Sequence, residues 1–362
     1  DQREILEVLD TCVSCKACKS ECPSNVDIAR FKAEYLQHYY DVCGVPMKAF
    51  LVARLTEIQR LGAIFPWFYN AVVRNRLTGG ILKRVLQFAP ERTLPMLYKT
   101  TLKHWIGRYN RKNKGQTVGK VLLFADEFTN YMDVEIGMKM VELLDRLGYE
   151  VVIPKHVESG RTAISKGMLK VARKVARKNV MLLKNIVSEN VPLVGIEPSC
   201  ILSFRDEYPD LVGEELKEEA VRLGKNCLLY DEFFVREIRA GRIRAEQFTD
   251  QPLNILLHGH CHQKSLASVE PSREMLSLPV NYKVEVIPSG CCGMAGAFGY
   301  EKKHYELSMK IGEQVLFPAV RGVGDDMCIS APGTSCRQQI KDGTGKQALH
   351  PIEVLYGALL TR

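Results

Sequence analysis

Hydrophobic and polar positions change their pattern near residue 119. Before it, apolar positions recur at helical spacing and are interrupted by glycines and prolines, which predicts several helices within 46–112. After it, short apolar runs of strand length alternate with longer helical stretches, which indicates an α/β domain with a largely parallel sheet. The strand candidates are 120–125, 150–154, 192–196, 253–258, 284–288 and 327–330, and the helical stretches include 132–147, 163–188 and 301–318.

Polar residues and cysteines follow these strand candidates in two similar series. The first series is Asp126-Glu127, Glu158-Ser159 and Cys200, and the second is Cys261, Cys291-Cys292 and Cys336. The spacing agrees, because Asp126 and Ser159 lie 33 positions apart and Cys261 and Cys292 lie 31 apart. Two copies of one βαβαβ-like unit explain the agreement, with halves at about 119–245 and 246–362.

Side chains that follow parallel strands gather at one edge of the sheet, so we expect a metal centre there. The candidate ligands are Cys200, Cys261, Cys291, Cys292 and Cys336, with His262 as a further candidate from the group His258, His260 and His262. Zinc could use four of the thiols, whereas five suit an iron–sulfur centre with bridging thiolates. Cys227 and Cys328 lie in apolar stretches, which predicts that they pack in the core.

A second cysteine motif lies near the start of the chain. Cys12, Cys15, Cys18 and Cys22 followed by proline have the C-x2-C-x2-C-x3-C-P spacing that holds [4Fe-4S] clusters in bacterial ferredoxins. In two-cluster ferredoxins the fourth cysteine of each run ligates the other cluster. With one run present, we expect the cluster to be labile or lost in the isolated chain. Cys43 is either a replacement ligand or, as we favour, a small buried hydrophobic residue.

Composition and charge narrow the class of protein. The chain has 362 residues, twelve cysteines and a net charge of +8, and it opens on Asp1, which suggests a piece of a longer protein. Adjacent and closely spaced cysteines in a chain of this length favour metal sites in a reducing compartment over disulfides. Fourteen Lys and Arg face two Glu between Lys48 and Gly115. The basic segment either docks on anionic lipid or a partner, or consists of helices packed on the cluster segment with solvated charges, which we favour.

The charge has no accompanying nucleic-acid motif, and no apolar run reaches the roughly 18 residues of a membrane span. We therefore expect three segments. These are a ferredoxin-like segment at 1–45, a helical basic region with its linker at 46–118 (the linker itself at 107–118), and a tandem α/β domain at 119–362.

The motifs together resemble a known family. The run at 12–23, H-G-H-C-H at 258–262, G-C-C-G at 290–293 and T-S-C-R at 334–337 resemble iron–sulfur oxidoreductases with CCG domains. E-F-T-N-Y at 127–131 and E-P-S-C at 197–200 resemble the C-terminal half of bacterial proteins that fuse an FAD-linked oxidase domain to such a module. The resemblance implies an internally repeated CCG-type parallel-sheet α/β domain, preceded by an α-helical ferredoxin-like [4Fe-4S] domain.

Two positions depart from the family pattern. Glu158-Ser159 stands where a first Cys-Cys pair would be, and the closing Cys-x2-Cys is reduced to Cys336, with Gly333 in the other place. At most one metal centre, iron–sulfur or zinc, is therefore expected in the α/β domain.

The resemblance also implies a function. The chain would relay electrons from FAD, held on a missing domain or partner subunit, to a quinone or other acceptor in oxidation of a 2-hydroxy acid. No G-x-G-x-x-G flavin fingerprint is present. The alternatives are heterodisulfide-reductase-like thiol–disulfide catalysis at the CCG site and a structural zinc domain that docks subunits. We expect a cytoplasmic protein. A peripheral position at the inner face of the membrane, with quinone or membrane contact through 46–112, is the alternative to the packed helices favoured above.

Overall fold

The fold consists of short N-terminal helices followed by two parallel sheets with helices around them. The structure, a computed structural model, describes residues 2–109, 117–324 and 326–360. Most of the linker expected at 107–118 lies outside the described residues. None of the described helices is long and apolar enough to cross a membrane.

The described residues before the first strand form short helices, as the pattern predicts. One helix ends at Gly62 and the next begins at Pro66, but the expected break at Gly79 and Gly80 is wrong, because a helix runs through both glycines. They are α1 (Gln2–Asp10), α2 (Ala17–Glu21), α3 (Ile28–Cys43), α4 (Met47–Ala53), α5 (Leu55–Gly62), α6 (Pro66–Arg74), α7 (Arg76–Val85) and α8 (Leu102–Ile106). The Asp27 carboxylate accepts the Arg30 N–H at 3.0 Å and so caps α3. Asn75 caps α7 in the same way.

The first sheet has four parallel strands in the order β2-β1-β3-β4. Its strands are β1 (Gly119–Phe124), β2 (Tyr149–Val152), β3 (Leu193–Gly195) and β4 (Cys227–Leu229). The helices of this half are α9 (Glu127–Tyr131), α10 (Val134–Arg146), α11 (Arg161–Ser165), α12 (Leu169–Leu183), α13 (Pro198–Ile201), α14 (Ser203–Asp206), α15 (Tyr208–Leu211), α16 (Glu214–Lys225) and α17 (Tyr230–Arg239).

The second sheet has three parallel strands in the order β6-β5-β7, which repeats the order β2-β1-β3 of the first. Its strands are β5 (Leu253–Leu257), β6 (Tyr282–Val286) and β7 (Met327–Ser330). Its helices are α18 (Cys261–Leu266), α19 (Glu270–Leu276), α20 (Tyr305–Gln314), α21 (Leu316–Arg321), α22 (Thr334–Thr344) and α23 (Pro351–Ala358), with short 3-10 turns at Ala245–Gln247, Phe298–Tyr300 and Lys302–His304.

One apolar core joins the two halves. It contains Val121 of β1 and Phe234 of α17 from the first half, and Leu257 of β5 and Leu355 of α23 from the second. The N-terminal region is joined to the second half by the fully buried Arg92. Its guanidinium donates hydrogen bonds to the Gly299 carbonyl, the Ser308 hydroxyl and the Asp342 carboxylate, at 2.8 to 2.9 Å.

All six strand candidates are strands within two residues of their expected bounds, and the parallel α/β architecture is confirmed. The sequence pattern missed β4, a three-residue strand that continues directly into α17 and so has no turn residues to mark its end. The expectation that Cys43 is buried is wrong, since its side chain is exposed at the end of α3. Cys227 is buried as expected, and Cys328 packs partly buried against the shared core.

Candidate metal centre

Three loops of the second half bring cysteines to the carboxyl edge of its sheet. Cys261 begins α18 after β5, Cys291 and Cys292 follow β6, and Cys336 lies in the first turn of α22 after β7. Parallel strands end at one edge of a sheet, which is why residues far apart in sequence meet here. Cys292 and Cys336 are buried, and Cys261 and Cys291 are partly buried.

Each of the four thiols acts on the pKa of the next. The pairs are Cys261 with Cys291, Cys291 with Cys292, and Cys292 with Cys336. The neighbouring Cys291 thiol and burial raise the pKa of the Cys261 thiol well above its ordinary value. Thiols held in this way stay protonated unless a cation replaces their protons, so binding of a metal here would release protons.

The loop that carries the cysteine pair is held by Lys264 and requires a glycine after the pair. Lys264 donates hydrogen bonds to the Ser289 carbonyl and, at 2.7 Å, to the Gly290 carbonyl. Gly293 has φ +93°, and a Cβ there would lie 2.3 Å from a backbone oxygen. A glycine is therefore required directly after the cysteine pair.

Histidines surround the same group of thiols. A ring nitrogen of His258 and the sulfurs of Cys292 and Cys336 all lie within 4.8 Å of one another. His260 caps α18, because its Nδ1 accepts the His262 N–H at 3.1 Å. His262 Nε2 lies 2.9 Å from the Ser14 carbonyl, in the N-terminal cysteine loop.

That N-terminal loop has the backbone geometry of a tight thiolate cradle. The Ser14 N–H points to the Cys12 sulfur at 3.4 Å, and the Ile28 N–H points to the Cys18 sulfur at 3.3 Å. Burial raises the pKa of Cys15, and the neighbouring thiols of Cys261, Cys12 and Cys18 raise it further. The pKa of Cys15 thus depends on thiols of both cysteine groups.

Cys22 has different surroundings. Backbone N–H groups of Val26, Ser24 and Asn25 lower its pKa, so this thiol points into the turn that follows it. In a run with ferredoxin spacing, the fourth cysteine is the one that turns away from the first three.

The loop is docked on both halves of the α/β domain. Besides the contact of His262 with Ser14, the Ser265 hydroxyl donates to the Cys15 carbonyl at 3.2 Å. Lys16, which is buried, forms ion pairs with Asp206 of the first half at 2.5 Å and with Glu207 at 3.3 Å. The two cysteine groups are thus in direct structural contact.

Comparison with known proteins identifies the second half. Residues 255–341 match the family model of the CCG cysteine-rich domain. The chain contains a CCG domain. The resemblance inferred from the cysteine motifs is thereby confirmed.

The chain is similar to several dehydrogenase proteins and to a lactate utilization protein. D-2-hydroxyglutarate dehydrogenase of Escherichia coli (strain K12) is 28% identical over 97% of this chain and 34% of its own length. A component of the anaerobic glycerol-3-phosphate dehydrogenase of the same strain is 26% identical over 88% of this chain and 79% of its own length. Lactate utilization protein A of Bacillus subtilis (strain 168) is 28% identical over 65% of this chain and 98% of its own length. The chain spans about a third of the length of the D-2-hydroxyglutarate dehydrogenases that it matches.

The first half carries carboxylates where the CCG domain carries thiols. The Glu127 carboxylate accepts hydrogen bonds from the Ser159 N–H at 2.9 Å and the Ser159 hydroxyl at 2.7 Å. Cys200 lies within 4.8 Å of the carboxylates of Asp126 and Glu127, in a group separate from His258, Cys292 and Cys336. Burial, with Glu127 beside it, raises the pKa of Asp126 to about 8.

Glu197 lies between this group and the CCG domain. One of its oxygens accepts the Thr334 N–H at 2.9 Å, and the other lies 3.7 Å from His260 Nε2. The motif pattern indicated the thiols but not the residues that orient them, such as Glu197 and Ser289. Their signal is weak, because a single Glu or Ser after a strand is common in any α/β protein.

Proposed function

We propose that this chain is the electron-transferring iron–sulfur portion of a flavin-dependent 2-hydroxy-acid dehydrogenase. Cys12, Cys15 and Cys18, with Cys22 turned toward a neighbouring cluster, would hold a [4Fe-4S] cluster. A second metal centre, iron–sulfur or zinc, would lie among the CCG thiols. The observation that supports the relay most directly is the docking of the cysteine loop on the CCG domain, where the Ser265 hydroxyl donates to the Cys15 carbonyl at 3.2 Å and His262 Nε2 lies 2.9 Å from the Ser14 carbonyl.

The donor sets fit these groups. The N-terminal loop suits a negatively charged cluster, because it has three thiols and backbone N–H groups aimed at sulfur. The CCG domain suits a metal that prefers sulfur ligands, because its thiols are neighbours and largely removed from water. When bound, an iron–sulfur cluster supplies one-electron chemistry, through which electrons from a reduced flavin would pass to an acceptor, whereas zinc would only hold the thiols in place. The chain's own residues would exclude water from the thiols, hold the loop against the CCG domain through His262, and balance charge with Lys16.

The match with D-2-hydroxyglutarate dehydrogenase leaves room for a flavin-bearing portion that this chain does not span. Two thirds of the D-2-hydroxyglutarate dehydrogenase length lies outside the match. We therefore assign FAD and substrate oxidation to that portion or to a partner subunit. The name of the relative suggests D-2-hydroxyglutarate as one substrate of this class.

Metal analysis and single-turnover kinetics test the relay. Because the loop cluster is expected to be labile, the chain of residues 1–362 is supplied with iron and sulfide under anaerobic conditions. It should then retain iron and acid-labile sulfide, and dithionite should produce an electron paramagnetic resonance signal that a quinone analogue abolishes. Cys15→Ser should lose the loop cluster, whereas the matched control Cys328→Ser, whose thiol lies within strand β7 and belongs to neither candidate ligand group, should keep it. Zinc without iron would contradict the relay and support the docking domain. Disulfide turnover that disappears in Cys292→Ser would support thiol–disulfide catalysis instead.

We also propose that helices α4 to α7 rest on a membrane surface. Residues 58–90 contain five Lys or Arg and no Asp or Glu. Large apolar side chains in this stretch are exposed, among them Leu61 at 66%, Trp67 at 71% and Leu77 at 78%. Each Lys or Arg near an anionic leaflet contributes about 1 kcal/mol, so five of them with inserted aromatic rings suffice for peripheral binding. This location implies a cytoplasmic protein at the inner face of the membrane.

A cleft of about 530 Å³ connects that surface with the cysteine loop. Cys12 lies in its wall, and Met47 and Val85, which are exposed on the basic helices, form part of its edge. Phe298 and the Lys303 ammonium line the side nearest the CCG domain. The cleft is the place where we expect a quinone-like acceptor to approach the loop cluster.

Vesicle binding tests the membrane proposal. The chain should sediment with vesicles that contain anionic phospholipid, release at high salt, and ignore neutral vesicles. Trp67→Ser should weaken sedimentation, whereas Trp105→Ser, outside the acid-free stretch, should not. Two results would contradict the membrane proposal. One is sedimentation that does not depend on lipid charge. The other is a chain that stays in the supernatant and instead binds tightly to a flavin-bearing fragment.

A further inference from the structure

His258 is a buried histidine with an unused ring nitrogen beside two thiols. It follows β5 and is fully buried. Its Nδ1 lies 2.7 Å from the Ser289 hydroxyl, while its Nε2 is buried without a hydrogen-bond partner among the described residues. A buried ring nitrogen without a partner is costly and requires a physical explanation.

The position of the ring supplies that explanation. A ring nitrogen of His258 and the sulfurs of Cys292 and Cys336 lie within 4.8 Å of one another. Because Nδ1 is used by Ser289, the nitrogen available to a ligand is Nε2. Histidines that bind metals commonly donate their other ring N–H to an oxygen, which fixes the ring and its tautomer. The Ser289 hydroxyl oxygen is the corresponding partner of His258 Nδ1.

The atoms that could share one ion have suitable spacing. A tetrahedral zinc site with Zn–S bonds of about 2.3 Å has ligand atoms about 3.8 Å apart. Atoms already within 4.8 Å of one another reach that spacing through shifts of about 1 Å or less. Cys291, the residue directly before Cys292, supplies the next thiol in line.

Gly333 explains why a nitrogen ligand is needed. A Cβ at this position would lie 3.1 Å from the Cys336 sulfur, so a side chain there would face the thiol group. The same Cβ would lie 2.4 Å from Cδ2 of His260, so the imidazole of His260 already occupies that space. A cysteine side chain therefore does not fit at residue 333. The site has one sulfur ligand fewer than the family's Cys-x2-Cys pattern would supply.

We propose that His258 Nε2 is a metal ligand of the CCG domain, together with Cys292, Cys336 and the neighbouring thiol of Cys291. The result is a mixed nitrogen–sulfur site of a kind that both zinc and iron accept. His262 is not part of it, because its Nε2 donates to the Ser14 carbonyl and holds the N-terminal loop. The proposal rests on the second metal centre of the proposed function and names one of its ligands.

X-ray absorption at the metal edge tests this ligand directly. The full chain, with Cys12, Cys15 and Cys18 changed to serine to leave the CCG thiols alone, is loaded anaerobically with Zn²⁺, or with Fe²⁺ and sulfide. The spectrum should contain one imidazole nitrogen per metal. In His258→Ala this feature should disappear and affinity for Zn²⁺, measured against a competing chelator, should fall at least about 10-fold.

Three further variants separate ligation from structural damage. His258→Cys should restore tight binding with an all-sulfur spectrum, and Ser289→Ala should weaken binding about 10-fold to 100-fold by freeing the ring. His262→Gln is the matched control and should keep the imidazole feature. An unchanged spectrum in His258→Ala would overturn the proposal while leaving the metal centre intact. A parent chain that takes up neither zinc nor iron would overturn the centre and this ligand together.

Discussion

Removal of the Lys16 charge should detach the N-terminal cysteine loop from the α/β domain. The Lys16 side chain is 3% exposed, and its ammonium forms ion pairs with Asp27 at 2.8 Å, Asp206 at 2.5 Å and Glu207 at 3.3 Å. All three carboxylates are largely buried, so Lys16→Met leaves them without this cation. Loss of one partner from a buried ion pair costs about 3 to 5 kcal/mol.

The structure indicates that Lys16→Met costs an energy near the lower end of that range, because two of the three carboxylates keep another cation. Glu207 keeps Arg161 at 2.6 Å, and Asp206 keeps the partly exposed Lys19. Burial would raise the pKa of Glu207, but Arg161 and then Lys16 bring it from 4.5 to about 2. That fall corresponds to about 3 kcal/mol, of which Lys16 contributes the smaller part. With Asp27 and Asp206 added, we expect a cost of about 3 kcal/mol for docking of the loop.

Hydrogen exchange measured by mass spectrometry is the suitable assay, because it reports local opening in a chain that need not unfold in one step. About 3 kcal/mol corresponds to exchange that is about 100-fold faster in peptides that cover residues 10–30. Peptides of β5 should be unaffected. Lys19→Met, which removes a single partly exposed pair, should change exchange less than about 5-fold. Equal protection in Lys16→Met and the parent chain would refute the reasoning.

Three other predictions follow from buried charge and backbone geometry. Because the folded-state pKa of Glu207 lies below its ordinary 4.5, its stabilisation is complete above pH 4.5 and disappears as pH falls to about 2, so loop protection should decline across that interval. Arg92→Met, which removes a fully buried guanidinium, should lower the free energy of unfolding of the second half by about 3 kcal/mol in urea titrations, and the exposed Arg74→Met should lower it by less than about 0.5 kcal/mol. Gly293→Ala should destabilise the CCG loop by more than about 1 kcal/mol and reduce metal content, whereas Gly290→Ala, which has open space around it, should do neither. Equal urea midpoints for the two arginine variants, or equal metal content for the two glycine variants, would count against these assignments.

Particular residues show how far sequence reasoning extends. The strands of both sheets and the thiols at their ends were accessible, because apolar runs of strand length and cysteine spacing are local signals. Residues 46–112 are interpreted from the sequence as helices whose apolar faces pack on the cluster segment. The helices are present, but apolar side chains such as Trp67 and Leu77 are exposed. Helical periodicity identifies an apolar face but cannot say whether another element covers it.

Cysteine types and their spacing were enough to indicate a ferredoxin-like loop, a repeated α/β domain and a thiol-rich centre, because thiolate ligation and parallel-sheet topology impose those spacings on the chain. Only the tertiary structure decided which residues meet. Among three histidines within five positions, it placed His258 beside Cys292, used His260 as a helix cap and turned His262 toward the distant loop at Ser14. The reason is physical: neighbours in sequence diverge at the start of a helix, and their partners come from loops that meet only when the sheet has formed.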